Sequence, residues 1–102
     1  MAGILTEGLV RSELAELPGW TYEHGEIVKE FTFDGFAEAL EFVNAVGDEA
    51  EAADHHPDID IRWNKVTLRL STHSEGGVTE KDTALARKIE GVLEAPAESP
   101  GA

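Results

Sequence analysis

The chain has 102 residues, with 21 acidic against 8 basic side chains and a formal net charge of -13 at pH 7. This charge repels phosphate backbones, so a nucleic-acid partner is not expected. No apolar run reaches the roughly 20 residues that cross a bilayer, and the N-terminal stretch lacks the pattern of a signal peptide. Cysteine is absent, which excludes disulfides and thiolate chemistry. We therefore expect one cytoplasmic domain without membrane contact.

The first third of the chain is predicted to form a helix and then a hairpin. Residues 6–17 have helical spacing, with Thr6 as a candidate N-cap and Pro18-Gly19 as the stop. Residues 20–33 have the pattern of two strands joined at His24-Gly25. His24 is accordingly interpreted as a turn residue.

A long helix is predicted next, with Asp34 as its N-cap. Its apolar residues recur at the spacing of one helical face, at Phe36, Leu40 and Val43. Pro57 is predicted to end this helix, because proline disfavours the helical conformation in the residue before it. His55 and His56 then belong to the C-terminal end of the helix, where the helix dipole alone would favour them.

Two strands with alternating apolar residues follow, and we place their turn at Asn64-Lys65. The opposed apolar pairs in this register are Trp63–Val66, Ile61–Leu68 and Ile59–Leu70. Because all of them fall on one face of the hairpin, Trp63 is predicted to belong to the core.

The other face of the same hairpin is predicted to be polar. There the register opposes Asp60 to Arg69, a favourable charge pair. Continued toward the open end of the hairpin, it brings His56 opposite His73. Opposed residues in a ladder have Cβ atoms about 4.5–5.5 Å apart, so these two imidazoles are expected to converge.

The last helix is predicted to begin at Thr79, where Thr79 and Asp82 have the spacing of a capping box. Residues 94–102 have the composition of a disordered tail, which leaves residues 1–93 as a single domain. The order α-β-β-α-β-β-α predicts an α+β fold of two layers. A four-stranded antiparallel sheet forms one layer, and the helices pack on one of its faces.

The polar groups near the open end of the second hairpin form a candidate acid–base site. Glu51 and His55 are four residues apart, so they share a helical face. Asp82 follows the loop after His73, and it has the two open interpretations of helix cap and site residue. Histidine suits proton transfer because its ordinary pKa is about 6.5.

The segment from Glu51 to Asp82 resembles the pterin-4a-carbinolamine dehydratases. Their signature is an acidic residue, three intervening residues, His-His-Pro, an aromatic residue, a histidine and then an aspartate. In this chain it is carried by Glu51, His55, His56, Pro57, Trp63, His73 and Asp82. The likeness covers roughly residues 20–93, and the family has the same order of helices and strands.

The resemblance implies an enzyme that dehydrates a 4a-hydroxytetrahydropterin to the quinonoid dihydropterin. The pterin is the substrate, no cofactor or metal is expected, and the chain is expected to be a homodimer or homotetramer. His55, His56 and His73 would be catalytic, with His56 as the principal acid–base group. The binding or orienting groups would be Glu51, which would steady His55, together with Asp54, Pro57, Lys81 and Asp82.

Two other interpretations of the histidines stay open. Three imidazoles and a water molecule form a known catalytic zinc arrangement, but the spacing here matches no standard zinc motif. The acidic helix and the open sheet face are also compatible with a non-catalytic oligomerising or protein-binding module of the same fold.

Overall fold

The computed structural model describes residues 3–94, and these form three helices and one four-stranded sheet. The helices are α1 (Glu7–Leu14), α2 (Phe36–Ala53) and α3 (Glu80–Glu94). The strands are β1 (Thr21–Glu23), β2 (Glu26–Thr32), β3 (Asp58–Arg62) and β4 (Lys65–Leu70). The predicted order α-β-β-α-β-β-α is confirmed. Beyond Glu94 the predicted tail lies outside the described residues.

The sheet is antiparallel throughout, with strand order β1-β2-β4-β3. Its core face carries alternate residues of the two central strands, and α2 and α3 pack against each other over it. The fully buried aliphatic side chains of the sheet are Ile27, Val66, Leu68 and Leu70. Burial of each such side chain contributes about 1.5–3 kcal/mol to folding. The core face therefore holds the helices against the sheet, and this packing positions the polar groups described below.

Two of the three helix starts have a side-chain cap. Thr6 caps α1 as predicted, because its hydroxyl oxygen accepts a hydrogen bond from the Leu9 N–H. The N-cap of α2 is Gly35, without a side-chain hydrogen bond, so the prediction of Asp34 as the cap was wrong. The last helix begins directly after Thr79, as the capping box predicted.

The first hairpin turns at His24-Gly25 as predicted, and both residues have positive φ. The second hairpin turns at Trp63-Asn64, one residue earlier than predicted. Every cross-strand pair is therefore shifted by two positions, so that Ile61 opposes Val66 and Ile59 opposes Leu68. The alternation survives this shift because side chains on a strand repeat with a period of two.

The shift corrects three further predictions. Arg69 opposes Asp58, while Asp60 opposes Thr67. Trp63 lies in the turn with 67% of its surface exposed, so its assignment to the core was wrong. The ladder ends at Asp58, so His56 and His73 are not opposed in it.

Two side chains in the middle of α3 form polar contacts with the first third of the chain. Glu90 accepts hydrogen bonds from the Trp20 indole, at 2.9 Å, and from the Lys29 ammonium, at 2.7 Å. Arg87 donates to Glu13 and to Glu16. The hydrogen bond to Glu13, supported by Glu16, raises the pKa of the Arg87 guanidinium above its ordinary value.

The N-terminal segment before α1 lies against the loop that leads into α3. The Leu5 N–H donates to the Val78 carbonyl oxygen at 2.8 Å. Ile4 covers Gly77, where an added Cβ would lie 3.4 Å from the Ile4 side chain. Residues 3–5 therefore hold this loop from outside.

Candidate functional site

The C-terminal end of α2 sets the direction of the two adjacent histidines. Asp54 has φ 52° and ψ 43°, and its N–H donates to the Ala50 and Glu51 carbonyl oxygens. The His55 N–H also donates to the Ala50 carbonyl oxygen, at 3.1 Å. These are the hydrogen bonds of a Schellman motif, which Asp tolerates better than most non-glycine residues. His55 and His56 therefore lie beyond the helix, which ends earlier than predicted.

His55 points toward the start of α3, where its Nε2 lies 2.5 Å from Asp82 Oδ1. The His55 side chain is 11% exposed and the Asp82 side chain is fully buried. Two residues 27 positions apart are thus joined in one ion pair or charge-assisted hydrogen bond. This contact connects the end of α2 to the first turn of α3.

The second carboxylate oxygen of Asp82 also accepts hydrogen bonds. Oδ2 accepts hydrogen bonds from the Thr79 N–H at 2.9 Å and from the Thr72 hydroxyl at 2.8 Å. The first of these is the return bond of a capping box. Both interpretations of Asp82 therefore describe real contacts, since one oxygen caps α3 and the other meets His55.

His56 points the opposite way, back toward α2. Its Nε2 lies 2.6 Å from Glu51 Oε2, and both side chains are largely exposed. Glu51 therefore contacts His56, and the expectation that it steadies His55 was wrong. Because the chain leaves the helix at Asp54, four-residue helical spacing no longer applies to His55.

A groove of about 390 Å³ opens beside His56, between α2 and the edge strand β3. Its polar rim includes Glu51 and His56, and its walls include Pro57 and Ile59. Pockets for small molecules typically combine such apolar walls with a few polar groups. The groove therefore offers room for a small molecule beside a histidine–carboxylate pair.

The other predicted site residues lie around these two pairs. His73 is exposed in the turn that follows Thr72, and among the hydrogen bonds of residues 3–94 none joins it to His55 or His56. Lys81 has an exposed side chain, while its N–H donates to Thr79 Oγ1. Asp54 is exposed at the helix end.

Thr72 is the site residue that sequence reasoning missed. It is only 4% exposed, and its hydroxyl also lies 2.7 Å from the Thr79 hydroxyl. A signal was present, because Thr72 continues the alternation of Val66, Leu68 and Leu70 onto the core face. A hydroxyl in that position needs a buried partner.

Residues 4–92 match the family model described as pterin 4 alpha carbinolamine dehydratase. The chain belongs to this family. The predicted resemblance is confirmed, and it extends beyond the motif segment to α1.

Many relatives in the dehydratase family are close in sequence. A protein of Mycobacteroides abscessus is 51% identical over 87 residues, which cover 85% of this chain and 93% of the relative. A protein of Roseiflexus castenholzii is 50% identical over 93 residues, covering 91% of this chain and 100% of the relative. Both are provisionally named pterin-4-alpha-carbinolamine dehydratases.

Two solved structures share the fold. The crystal structure of a transcriptional coactivator/pterin dehydratase from Brucella melitensis matches with TM-score 0.85 and 37% identity, covering 88% of this chain and 98% of that one. A pterin dehydratase-like protein identified as a RuBisCO assembly factor in the alpha-carboxysome matches with TM-score 0.60 and 20% identity, over 76% of this chain and 89% of that one. The second likeness concerns the fold alone.

Two further findings apply to residues 3–94. None of the helices there is both long and apolar enough to span a membrane. No three His, Asp or Glu side chains in the same range come together as a metal-binding group. The two histidine–carboxylate pairs are thus separate contacts within the part of the dehydratase domain that the structure describes.

Proposed function

We propose that this chain dehydrates a 4a-hydroxytetrahydropterin to the quinonoid dihydropterin and water. The observation that carries the proposal is the presence of two histidine–carboxylate pairs, made by the adjacent His55 and His56, in a chain of the dehydratase family. The substrate class comes from the family, and the chemistry is argued below from the residues.

The reaction requires one proton to be delivered and one to be removed. The bond between the 4a carbon and its hydroxyl oxygen breaks, and that oxygen leaves as water once it has received a proton. The neighbouring ring nitrogen loses its proton, and its electron pair forms the new carbon–nitrogen double bond. Because one proton enters and one leaves, two groups of histidine type are sufficient and no redox partner is needed.

His56 is proposed as the principal acid–base group. It lines the groove, and Glu51 lies within hydrogen-bond distance of its Nε2. A carboxylate in that position can accept a hydrogen bond from the ring N–H and so orient the imidazole, and the protonated ring is the form that protonates the leaving oxygen. Proton exchange with water is rapid for such an exposed pair, so His56 can be reset between turnovers.

His55 is proposed as the second proton-handling group. Its Nε2 is held by Asp82 inside the domain, so its orientation is fixed by a fully buried carboxylate. A buried imidazole beside an exposed one is a workable arrangement for two proton transfers, since each can have its own direction. His73, in the turn after Thr72, is proposed to assist in holding the pterin.

The test is stopped-flow ultraviolet absorbance of freshly generated 4a-hydroxytetrahydropterin. Wild type should accelerate its dehydration, and His56→Ala should lose most of that acceleration, by about 100-fold or more. His55→Gln should lose less, because His56 remains. His24→Asn is the matched control, since His24 lies in the β1–β2 turn and asparagine tolerates its positive φ.

Unchanged turnover in a folded His56→Ala protein would remove His56 from the mechanism. No acceleration by folded wild type would remove the dehydratase assignment itself. Dialysis against a chelator should leave the rate unchanged, because the proposed chemistry uses only side chains. A rate lost on chelation and restored by zinc would favour the metal interpretation of the histidines.

A non-catalytic binding module is the second candidate function. It is favoured by large exposed apolar side chains, which mark protein–protein contact sites when they are contiguous. On α2 and β3 these are Phe36, Leu40 and Ile59, and the β3–β4 turn adds Trp63. Charge substitution at Leu40 separates the two functions: it should abolish partner binding in this alternative and leave dehydration by an intact monomeric site unaffected.

A further inference from the structure

A chain of hydrogen bonds runs behind His55 into the core. Lys81 N–H meets Thr79 Oγ1 at 3.2 Å, the Thr79 and Thr72 hydroxyls lie 2.7 Å apart, and Thr72 Oγ1 lies 2.8 Å from Asp82 Oδ2. Thr72, Thr79 and Asp82 are at most 4% exposed. Water therefore cannot replace these partners, and each proton in the chain needs an acceptor within it.

The donor groups determine the direction in which this series of hydrogen bonds runs. The Lys81 N–H can only donate, so Thr79 Oγ1 accepts from it. If Thr79 then donates to Thr72, and Thr72 donates to Asp82, every hydroxyl proton has an acceptor. The Thr79 N–H also ends on Asp82 Oδ2. In this direction Asp82 Oδ2 accepts two hydrogen bonds and carries no proton.

The reverse direction leaves a buried donor unsatisfied. It would need a protonated Asp82 that donates to Thr72, with Thr72 donating to Thr79. The Thr79 hydroxyl proton would then have no acceptor among the hydrogen bonds of residues 3–94, although that side chain is fully buried. An unmatched buried donor costs about 1–3 kcal/mol, so the first direction is favoured.

We propose that Thr72, backed by Thr79, is a positioning residue that fixes Asp82 as a hydrogen-bond acceptor only and thereby fixes the tautomer of His55. With Oδ2 unprotonated, the remaining proton lies between Oδ1 and the nitrogen 2.5 Å away, and it resides on the nitrogen because imidazole is ordinarily a stronger base than a carboxylate. Neutral His55 is therefore the Nε2–H tautomer, and Nδ1 is the nitrogen that remains for proton exchange with a substrate.

The first test is the tautomer itself, in the full-length wild-type protein labelled with ¹⁵N in histidine. Two-bond ¹H–¹⁵N correlation spectra report which ring nitrogen carries the proton, and loss of a cross-peak set in His55→Gln assigns the signal. The expected result is a protonated Nε2 and an unprotonated Nδ1 for neutral His55. A protonated Nδ1 would overturn the inference, and this measurement requires no change at Thr72.

The second test removes the Thr72 hydroxyl without removing its volume. Thr72→Val should convert the single His55 tautomer into a mixture, and it should lower kcat about tenfold with a small change in KM. Thr72→Ser restores the hydroxyl and should restore both signals. Thr83→Val is the matched control. Thr83, on α3, is as buried as Thr72, but its hydroxyl donates to the Glu80 carbonyl oxygen.

The outcomes distinguish this inference from the dehydratase proposal on which its kinetic part rests. An altered tautomer in Thr72→Val, reversed by serine and absent in Thr83→Val, supports the positioning role even if wild type shows no dehydratase activity. Wild-type activity combined with an unaltered tautomer and rate in a folded Thr72→Val protein would overturn the positioning role and leave the dehydratase proposal standing.

Discussion

Asp82 shows how one buried carboxylate can serve folding and chemistry together. Oδ2 completes the capping box of α3, and Oδ1 meets His55. The sequence predicted the capping contact and placed Asp82 in the candidate site, because the capping spacing and the family motif both include this position, but it did not name His55 as the partner. It could not predict that each carboxylate oxygen has a different partner, because the partner of Oδ1 depends on where the end of α2 places the His55 side chain.

Asp82→Ala should lower the free energy of unfolding by about 2–4 kcal/mol, because it strands two buried donors and removes a helix cap. Urea denaturation measures this change, and stopped-flow dehydration measures the rate on the same sample. Glu80→Ala is the control, since that exposed side chain in the same turn should matter by no more than about 0.5 kcal/mol. Normal turnover in a destabilised Asp82→Ala protein would leave only the capping role.

The histidine pairings at this site were the least predictable feature. His55 and His56 are adjacent, but the left-handed Asp54 sends them toward different elements. The sequence shows only that an Asp precedes His-His-Pro, and this does not predict that Asp54 has a left-handed backbone conformation. For that reason the predicted partnership of Glu51 with His55 was exchanged for one with His56.

At the scale of elements, substitutions of Asp54 at the end of α2 can separate the effect of its backbone conformation from the effect of its carboxylate. Asp54→Gly should raise the free energy of unfolding by up to about 1 kcal/mol, because glycine has no Cβ penalty at φ 52°. Thermal unfolding measures this change. Asp54→Val should lower stability at the same position, which provides the matched comparison.

The same pair of variants tests the predicted orienting role of the Asp54 carboxylate. If the backbone conformation alone matters, Asp54→Gly should keep the dehydration rate of wild type. A rate that falls in a protein of equal or greater stability would assign a role to the carboxylate itself.

The second hairpin illustrates what alternation can and cannot specify. Apolar and polar residues were assigned to the correct faces of β3 and β4, because parity is unchanged by a shift of two positions. The turn was misplaced, since Asn64-Lys65 and Trp63-Asn64 both satisfy the alternation. The observed turn places a tryptophan at φ 55°, which turn preferences derived from small residues do not anticipate.

Trp63→Gly should raise the free energy of unfolding of a monomer by about 0.5–1 kcal/mol, because a two-residue turn with positive φ at its first position favours glycine there. Chemical denaturation followed by circular dichroism measures this change without relying on the lost indole. A decrease in stability would mean that the exposed indole is covered in solution, and a second copy of the chain is the first candidate to cover it.

At the scale of the whole molecule, self-association stays a prediction that the exposed apolar side chains make testable. Phe36, Leu40 and Val43 share one face of α2, and Val43 and Ile59 line the same groove. Leu40→Glu should shift the chain toward monomer, because it places a charge on that face. Sedimentation equilibrium measures the mass, and Leu9→Glu is the control at an exposed leucine of α1. Equal masses for wild type and Leu40→Glu would move any interface elsewhere.

The contacts of Ile4 and Leu5 connect the N-terminal segment to the loop that precedes the site. Residues 3–5 hold the backbone at Gly77 and Val78, directly before the threonine that starts the hydrogen-bond chain to His55. A bulky fusion partner or a surface tether attached there would pull on that backbone. Preparations that differ only in their affinity tag should therefore differ in turnover while their overall folding remains alike, and the position of the tag becomes a variable of the assay.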